Sequence, residues 1–437
     1  MVGWISRRSL GTSAVALSVV ALAAAGCGNS GSSSPSSPSR APSSGGNPPA
    51  TSLVNVQIAI DLPLGQEAAV PIVNGVRLAV GQAGGVAGAY GVGVPDALVF
   101  DDSLNGAMDA LTGQRNTKRA VETPDVIALI GPLNSAVATV EIPVSSEAGL
   151  LQCSPTTTNP ALTKPPDGPQ LRSPAKRDVV NFIRTVGTDD LQGPAAARYI
   201  KSQGARIALV VSTPDPFGSG IGREFAVEAR KLGLRVIETP ITGPSADFGS
   251  IARKAKTDHV DAVFFGGVTP GGAPQLAQAL KKDGPADALF VGPDGIWDGS
   301  ASVQGSFLNL AGPDVAATAH AVQAGSDNFA TVPSFVDAYR AAYGSDPNAY
   351  APTGYACAQV VLDALERISA TSRPTDRAAL REAVRAAAVD PSHVYDTILG
   401  PLSFDANGDV AKPWINVFHY DAKARDWAVE TTVWFGD

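Results

Sequence analysis

The chain has few of the residues from which metal sites and disulfide scaffolds are built. Its 437 residues include three cysteines and four histidines, and His259, His320, His393 and His419 are scattered without ligand spacing. So few cysteines exclude a disulfide-rich scaffold and a cysteine-rich metal site. The sequence therefore predicts no metal site and no histidine-based catalytic triad.

The motifs of nucleotide binding and nucleophilic catalysis are missing as well. The sequence has no phosphate loop, no Gly-x-Ser-x-Gly elbow and no His-Glu-x-x-His pair. "FGSGIG" follows an apolar run, but the third glycine of a dinucleotide fingerprint would fall on Arg223. We therefore expect no catalytic residue, no cofactor and no enzymatic activity. An exported hydrolase with Ser135 as nucleophile is a rival interpretation, although no base is evident for it.

Basic residues are in deficit, with 33 Lys and Arg against 41 Asp and Glu, which gives a formal net charge of −8. A chain with this balance lacks the positive surface that a polyanion requires, so nucleic acid is not expected as a partner. Residues 53–437 exceed the size that one hydrophobic core usually serves, and two domains are therefore expected.

The N-terminal segment has the composition of an export signal. "MVGWISRRSLGTSAVALSVVALAAAGC" combines a basic start, a short apolar stretch and small residues before Cys27. Its end, "AAGC", resembles the bacterial lipobox, which predicts a lipoprotein signal peptide over residues 1–26 and lipid attachment at Cys27. Arg7 and Arg8 resemble a twin-arginine signal, although any signal carries basic residues here. The alternative is an ordinary cleaved signal in which Cys27 is incidental.

Residues 27–52 are almost entirely Ser, Pro, Gly and Asn after the cysteine. A segment with so little apolar surface cannot offset the entropy of ordering it, and we predict a disordered tether. No later apolar run is long enough to span a bilayer. We expect an exported protein that is held at the extracytoplasmic face of the cell membrane by its lipid alone.

Apolar runs alternate with helical patterns through the rest of the chain. "VIALI", "RIALVV" and "DAVFF" are near-continuous apolar runs, each followed by an amphipathic segment, which is typical of parallel strands covered on both faces. In "SFVDAYRAAYG", Phe335, Tyr339 and Tyr343 share one helical face and Gly344 is placed to end the helix. Strand, Gly-rich turn and helix recur in both halves, so the sequence predicts an α/β fold of two doubly wound lobes.

Small hydroxyl residues follow two of the apolar runs. Ser135 comes after "VIALI", and Thr156, Thr157 and Thr158 follow "GLLQC". Because ligands of open α/β sheets bind beyond the carboxyl ends of the strands, these hydroxyls are candidates for ligand contacts. Ser135 could equally be only the N-cap of a helix that begins at Ala136, and the threonines could bond their own backbone. The residues alone leave both interpretations open.

Several stretches, taken in order, resemble the substrate-binding proteins of the branched-chain amino acid (Leu/Ile/Val) ABC-transporter family, which have the type I periplasmic-binding fold. These stretches are "IGPLNSAVAT", "SPTTTNPALT", "FIRTVGTDDLQGPAAARYI", "DAVFFGGVTP", "FVGPDGIWDG" and "GPLSFDANGDV". The resemblance implies lobes that are discontinuous in sequence. It places residues 53–186 and 322–412 in the N-terminal lobe, and residues 187–321 and 413–437 in the C-terminal lobe.

The resemblance also implies a ligand site to which both lobes contribute. Ser135 matches the serine that holds the ligand's α-carboxylate, and Thr156 and Thr158 match positions that contact carboxylate and ammonium. Asp294, in "VGPDG", matches the acid that pairs with the α-ammonium, where relatives usually have Glu. Phe217 matches an aromatic residue that closes over the ligand. The implied function is a monomeric receptor that delivers a small solute, an amino acid or a related molecule, to an ABC permease.

Some features depart from the family or remain open. Val268 stands where the best-known members carry a tyrosine, which implies a pocket of different size. The disulfide of some relatives would fall on Leu104 and Asn134 and is missing. Cys357 lies on the apolar stripe of a predicted helix, so core packing and a bridge to Cys153 both remain open. A sensing module of the same fold, which reports to a regulatory partner, is the alternative function.

Overall fold

The structure is a computed structural model that describes residues 52–66, 68–324 and 332–435. The predicted signal peptide over residues 1–26, the lipid attachment at Cys27 and nearly all of the predicted tether lie outside the described residues. Within the described part, none of the helices combines the length and the apolar character needed to cross a membrane.

The first part of the described chain forms strands and helices around one sheet. Its elements are β1 (Val54–Leu62), α1 (Ala69–Gln82), β2 (Val86–Ala87), β3 (Tyr90–Gly93), β4 (Val99–Asp101), β5 (Ser103–Leu104), β6 (Ala107–Met108), α2 (Ala110–Glu122), β7 (Val126–Ile130), α3 (Ser135–Glu147), β8 (Leu151–Ser154), α4 (Gly168–Leu171) and β9 (Phe182–Arg184). All five residues of β7 are buried, as a strand covered by helices on both faces requires.

The middle of the chain forms a second set of elements. They are α5 (Asp189–Ser202), β10 (Ile207–Ser212), α6 (Pro216–Lys231), β11 (Arg235–Pro240), α7 (Phe248–Thr257), β12 (Ala262–Gly266), α8 (Ala273–Asp283), β13 (Leu289–Gly292), α9 (Phe307–Ala311), α10 (Pro313–Ala316) and β14 (Ala319–Ala324). Strands β10 to β14 pair in parallel with one another.

The last part contributes α11 (Pro333–Tyr343), α12 (Ala351–Thr371), α13 (Arg377–Ala388), β15 (Tyr395–Thr397), β16 (Gly400–Leu402), β17 (Trp414–Asp421) and β18 (Asp426–Trp434). Helix α11 ends as the sequence predicts, because Gly344 adopts a left-handed conformation at φ 72° just after it. Phe335 and Tyr339 are buried on the predicted face of this helix.

Two sheets organise the chain into two lobes. The first sheet has the order β2-β3-β1-β7-β8-β9 with β4 also beside β1, and the second has the order β11-β10-β12-β13-β14-β17-β18. Helices α12 and α13 return to the first lobe, where α12 packs on α1 and α13 on β7 and β8. The chain therefore contributes to each lobe twice, and the predicted α/β fold of two doubly wound lobes is confirmed.

One predicted lobe limit differs from the sheet pairing. Strand β14 pairs antiparallel with β17 through Val322, Gln323 and Ala324, so residues 322–324 belong to the second sheet. The sequence assigned them to the N-terminal lobe. A ladder formed with a strand that lies far along the chain decides their place, and local sequence carries no signal for such a pairing.

A disulfide joins two distant elements of the first lobe. Cys153 on β8 and Cys357 on α12 are bonded, with their Cα atoms 5.9 Å apart and 204 residues between them in sequence. Both cysteines are fully buried in the core between the sheet and the helix. The bridge that the sequence left open is present in the structure, and Cys357 also packs in the core.

Removing this bridge is expected to destabilise the protein by about 3 kcal/mol, because a cross-link over a long loop restricts the unfolded chain. The measurement is guanidinium unfolding of the Cys153→Ser/Cys357→Ser double variant against the wild type, each with and without a thiol reductant. Reductant should lower the stability of the wild type and leave that of the double variant unchanged. Equal stability of the wild type and the double variant in the absence of reductant would contradict the prediction.

Candidate functional site

A cavity of about 460 Å³ lies between the lobes, on the side of the carboxyl ends of their parallel strands, where α/β proteins bind ligands. From the first lobe its lining includes Gln66, Met108, Asn134, Ser135, Thr156, Thr157 and Tyr350. From the second lobe it includes Phe217, Val268, Asp294, Asp298 and Ser306. The structure thus brings together Ser135, Thr156, Phe217 and Asp294, which the sequence resemblance selected from four separate stretches.

The first corner of the cavity is the start of α3. Asn134 caps this helix, since its side-chain oxygen accepts a hydrogen bond from the Ala136 N–H at 2.8 Å. The sequence interpretation of Ser135 as the N-cap is therefore wrong. Ser135 is the first helical residue, and its hydroxyl oxygen accepts from the Asn159 N–H at 3.4 Å. A helix start carries unpaired N–H groups and the positive end of the helix dipole, so this corner suits a carboxylate.

The threonine loop, residues 155–160, forms the adjoining wall. The Ser154 hydroxyl accepts hydrogen bonds from the N–H groups of Thr156 and Thr157 at 3.3 and 3.0 Å. The Thr156 hydroxyl donates to the Leu133 carbonyl at 2.7 Å. The Thr157 hydroxyl is buried, and no protein partner contacts it within the described residues. Thr157 is therefore a cavity-lining residue whose hydroxyl has no hydrogen-bond partner within the described residues.

Thr158 is not among the residues that line the cavity, although Thr156 and Thr157 are. Its carbonyl accepts a hydrogen bond from the Asp189 N–H at 2.9 Å. Burial holds the pKa of Asp189 well above its usual range, the charge of Asp294 adds to this, and the Thr158 hydroxyl opposes it. The structure thus places Thr158 against the start of α5 and not in the cavity lining. The sequence resemblance selected Thr158 and passed over Thr157.

Asp294 lines the cavity from the second lobe, just after β13. Its carboxylate accepts a hydrogen bond from the Gln192 side chain at 3.3 Å, and its N–H donates to the Gln192 side-chain oxygen at 2.7 Å. Burial raises the pKa of Asp294 to about 7, while the Gln192 amide and the Gly295 N–H partly oppose this shift. Gln192 lies in the distinctive "DDLQGP" stretch, but it was not among the residues that the resemblance selected for the site.

The carboxylate of Asp294 has no basic partner among the residues that the structure describes. A buried acid without a cation is costly to ionise, so such a site is stabilised when a ligand supplies the positive charge. The lining of the cavity therefore includes a helix start suited to an anion and an acid suited to a cation.

Contacts between the lobes surround the cavity. The Tyr350 hydroxyl of the first lobe donates to the Asp294 carbonyl at 2.6 Å. The Asn159 side-chain amide donates to the Pro216 carbonyl at 2.9 Å, and Lys164 pairs with Asp190 at 2.6 Å. The two lobes are therefore in contact around the ligand cavity.

Within residues 52–66, 68–324 and 332–435, no group of three or more His, Cys, Asp or Glu side chains is placed to hold a metal ion.

Comparisons with known proteins agree with this geometry. A family model described as periplasmic binding protein matches residues 64–424. The Leu/Ile/Val-binding protein homolog 2 of Brucella abortus (strain 2308) is 28% identical over 371 residues, which cover 82% of this chain and 88% of that protein.

Two solved structures share the fold. The leucine binding protein LivK of Thermotoga maritima superposes with a TM-score of 0.70 at 21% identity, covering 86% of this chain and 98% of that one. The branched-chain amino acid transporter substrate binding protein LivJ of Streptococcus pneumoniae, solved with isoleucine, gives 0.68 at 19% identity, covering 87% and 99%.

Proposed function

Because the chain belongs to the periplasmic binding protein family, as its sequence resemblance predicted, we propose that it captures an aliphatic α-amino acid such as leucine and delivers it to an ABC permease. Members of this family bind ligands outside the cytoplasm as components of transport systems. In this proposal the protein is not an enzyme, since binding and release are its whole task.

The observation that carries the proposal is that two groups of opposite preference line one cavity. Ser135 at the start of α3 lines it from the first lobe, and the buried Asp294, which has no basic partner among the described residues, lines it from the second. A zwitterion needs neutral donors for its carboxylate and an acid for its ammonium. Charge-assisted hydrogen bonds contribute about 1.5–3 kcal/mol each, so the two ends together can hold a small molecule firmly.

The ligand's side chain is proposed to occupy the remaining space. Met108, Phe217 and Val268 supply apolar surface there, and a pocket of this kind separates ligands by about 1–3 kcal/mol per methylene. The Leu/Ile/Val-binding name of the Brucella abortus relative supports an aliphatic side chain.

Closure of the lobes is the proposed binding motion. Tyr350 and Asn159 reach from the first lobe to Asp294 and Pro216 of the second, and a ligand held at both corners would favour this closed arrangement. It can shift the equilibrium only by its differential affinity for the closed form.

The N-terminal sequence supports the proposed location. A signal peptide over residues 1–26, lipid on Cys27 and a tether up to residue 52 would keep a monomeric receptor close to the membrane that holds its permease. Such a tether would raise the effective concentration of the receptor at its permease.

Calorimetric titration with matched ligands tests the proposal. L-Leucine is expected to bind, whereas 4-methylpentanoate, which lacks the ammonium, and isoamylamine, which lacks the carboxylate, should each bind at least about 100-fold more weakly, because each leaves one buried corner unpaired. Equal binding of L-leucine and 4-methylpentanoate would show that Asp294 does not bind the ligand's ammonium group. Absence of heat with L-leucine, L-isoleucine and L-valine would reject the ligand class.

A further inference from the structure

A fully buried arginine lies directly beneath the threonine loop. Arg184 ends β9, and one nitrogen of its guanidinium, Nη1, donates to the carbonyls of Thr157 and Asn159, each at 3.0 Å. These carbonyls lie on either side of Thr158, in the loop whose Thr156 and Thr157 line the cavity. One side chain therefore holds the backbone of the loop at two points.

The other donors of Arg184 bind a distant segment of the chain. Its Nε pairs with the Asp409 carboxylate at 2.8 Å, and Nη2 donates to the Thr163 hydroxyl at 2.5 Å. That hydroxyl in turn donates to Asp409 at 2.8 Å. The backbone N–H of Arg184 donates to the Gly408 carbonyl at 3.3 Å. One buried guanidinium thus joins the threonine loop, strand β9 and the segment around Asp409.

Arg184 and Asp409 each lie just before a point where the chain crosses into the second lobe. Arg184 precedes α5, the first helix of that lobe, and Asp409 precedes β17, which closes its sheet. Arg184 therefore connects the wall of the cavity to two of the points where the chain crosses between the lobes.

Stability alone does not explain a fully buried ion pair at this place. Burying a guanidinium and a carboxylate carries a desolvation cost that good geometry only offsets, and apolar residues of similar volume often do as well. What apolar residues cannot do is hold two carbonyls and a hydroxyl in fixed positions. Arginine has a planar set of donors for this task, whereas lysine presents a single point charge.

We propose that Arg184 is a positioning residue for ligand binding, which fixes the threonine loop so that Thr156 and Thr157 face the cavity and ties that loop to the passages between the lobes. The inference rests on the proposed function for its effect on affinity, whereas its effect on the loop is independent of any ligand. Arg184 itself does not line the cavity.

The test compares Arg184→Lys with Arg381→Lys in the full-length chain. Arg381 is a matched control, because its guanidinium donates to the carbonyls of Val121, Thr123 and Val126 in the same lobe, away from the cavity. Two quantities are measured: hydrogen exchange of the Thr156 and Thr157 amides in the ligand-free protein, and the Kd for L-leucine by calorimetry.

We expect Arg184→Lys to speed exchange of these two amides at least about tenfold and to weaken leucine binding about tenfold, which is the loss of one hydrogen bond to a charged group. Arg381→Lys should change both by less than about twofold, even where it lowers overall stability by a similar amount. Thr163→Val removes the hydroxyl between Arg184 and Asp409, and it should also speed amide exchange and weaken leucine binding. This variant provides the test if Arg184→Lys does not fold.

Unchanged exchange of the loop amides in Arg184→Lys overturns the inference, whether or not leucine binds. Equal acceleration in Arg184→Lys and Arg381→Lys also overturns it, because the effect would then be general destabilisation. Faster loop exchange in Arg184→Lys alone, together with no leucine binding by the wild type, supports the positioning role and rejects the proposed ligand class.

Discussion

Replacing Asp294 by alanine is expected to weaken L-leucine binding by about 3–5 kcal/mol, because the ligand's ammonium would then be buried without a counter-charge. Asp294 is buried at the cavity and has no basic partner within the described residues, so its carboxylate is available to pair with the ammonium of a ligand. The loss corresponds to a Kd about 150- to 5,000-fold weaker, which calorimetric titration of both proteins measures directly.

Two control variants separate charge from packing. Asp294→Asn keeps the shape of the side chain and its contact with Gln192 but cannot ionise, so its affinity should fall about as far as that of Asp294→Ala. Asp287→Ala removes an exposed acid from the same lobe and should bind leucine as the wild type does. Wild-type affinity in Asp294→Asn would show that the ammonium is held elsewhere.

The pKa of Asp294 makes the same interaction sensitive to pH. Burial raises this pKa to about 7, so the carboxyl is increasingly protonated as the pH falls below 7. A ligand ammonium must then displace that proton, and binding to the wild type weakens with falling pH. Asp294→Asn has no carboxyl group at this position to titrate, so its affinity for leucine should not weaken in this way as the pH falls. The comparison of the two proteins is the control for the pH measurement.

The fold was predictable because its signals are local. β7 and β10 are apolar runs that need cover on both faces, and the pattern around Gly344 marks a helix end. Each of these signals depends on residues that are neighbours in sequence. Two lobes followed from the recurrence of the same pattern in both halves.

The site was predictable only in part, because its finer features depend on side-chain direction and distant contacts. Asn134 and Ser135 are both good capping residues, and the sequence does not say which of them caps α3. The loop between Pro155 and Pro160 has no regular period, so nothing local distinguishes Thr157 from Thr158.

Pairings between distant residues gave no sequence signal at all. The Cys153–Cys357 bridge spans 204 residues, and the ion pair between Arg184 and Asp409 spans 225. Arg184 stands in the short run "FIR", which is typical of an ordinary strand end. Its burial results from contacts with segments that are distant in sequence, where the chain crosses between the lobes.

Three buried acids of the first lobe predict a second large effect, on stability. Asp61 on β1, Asp102 after β4 and Glu141 on α3 are all fully buried. Asn116 donates to Asp61 at 2.9 Å and Gln152 donates to Glu141 at 2.6 Å, whereas both carboxylate oxygens of Asp102 lack a hydrogen-bond partner in the described part of the chain.

Burial is the main cause of the raised pKa values of these acids. It raises the pKa of Asp102 to about 8, and the nearby charges of Asp61, Asp101 and Asp109 add to the shift. Burial also raises the pKa of Asp61 to about 7, although hydrogen bonds from Glu141 and Asn116 oppose the shift.

The pKa of Glu141 lies well above its usual range for the same reason, with the neighbouring charge of Asp61 as the next cause. A protonated Glu141 can donate to Asp61, which gives both carboxyl groups a partner in the neutral interior.

Folding stability is therefore expected to fall as the pH rises from 4 to 8. An acid whose pKa is raised in the folded state contributes fully below its unfolded pKa of about 4, and that contribution is lost as the pH approaches the folded pKa. For Asp102 the difference between about 4 and about 8 corresponds to a loss of about 5 kcal/mol.

Asp102→Asn isolates this effect, since the amide has nearly the same shape and stays neutral at every pH. Guanidinium unfolding at pH 5, 6, 7 and 8 should show wild-type stability falling relative to the variant by about 1.4 kcal/mol per pH unit. Glu122→Gln, which changes an exposed acid at the end of α2, should follow the wild-type curve. Parallel curves for Asp102→Asn and the wild type would mean that Asp102 ionises freely in the folded protein, and that the space around it is open to water.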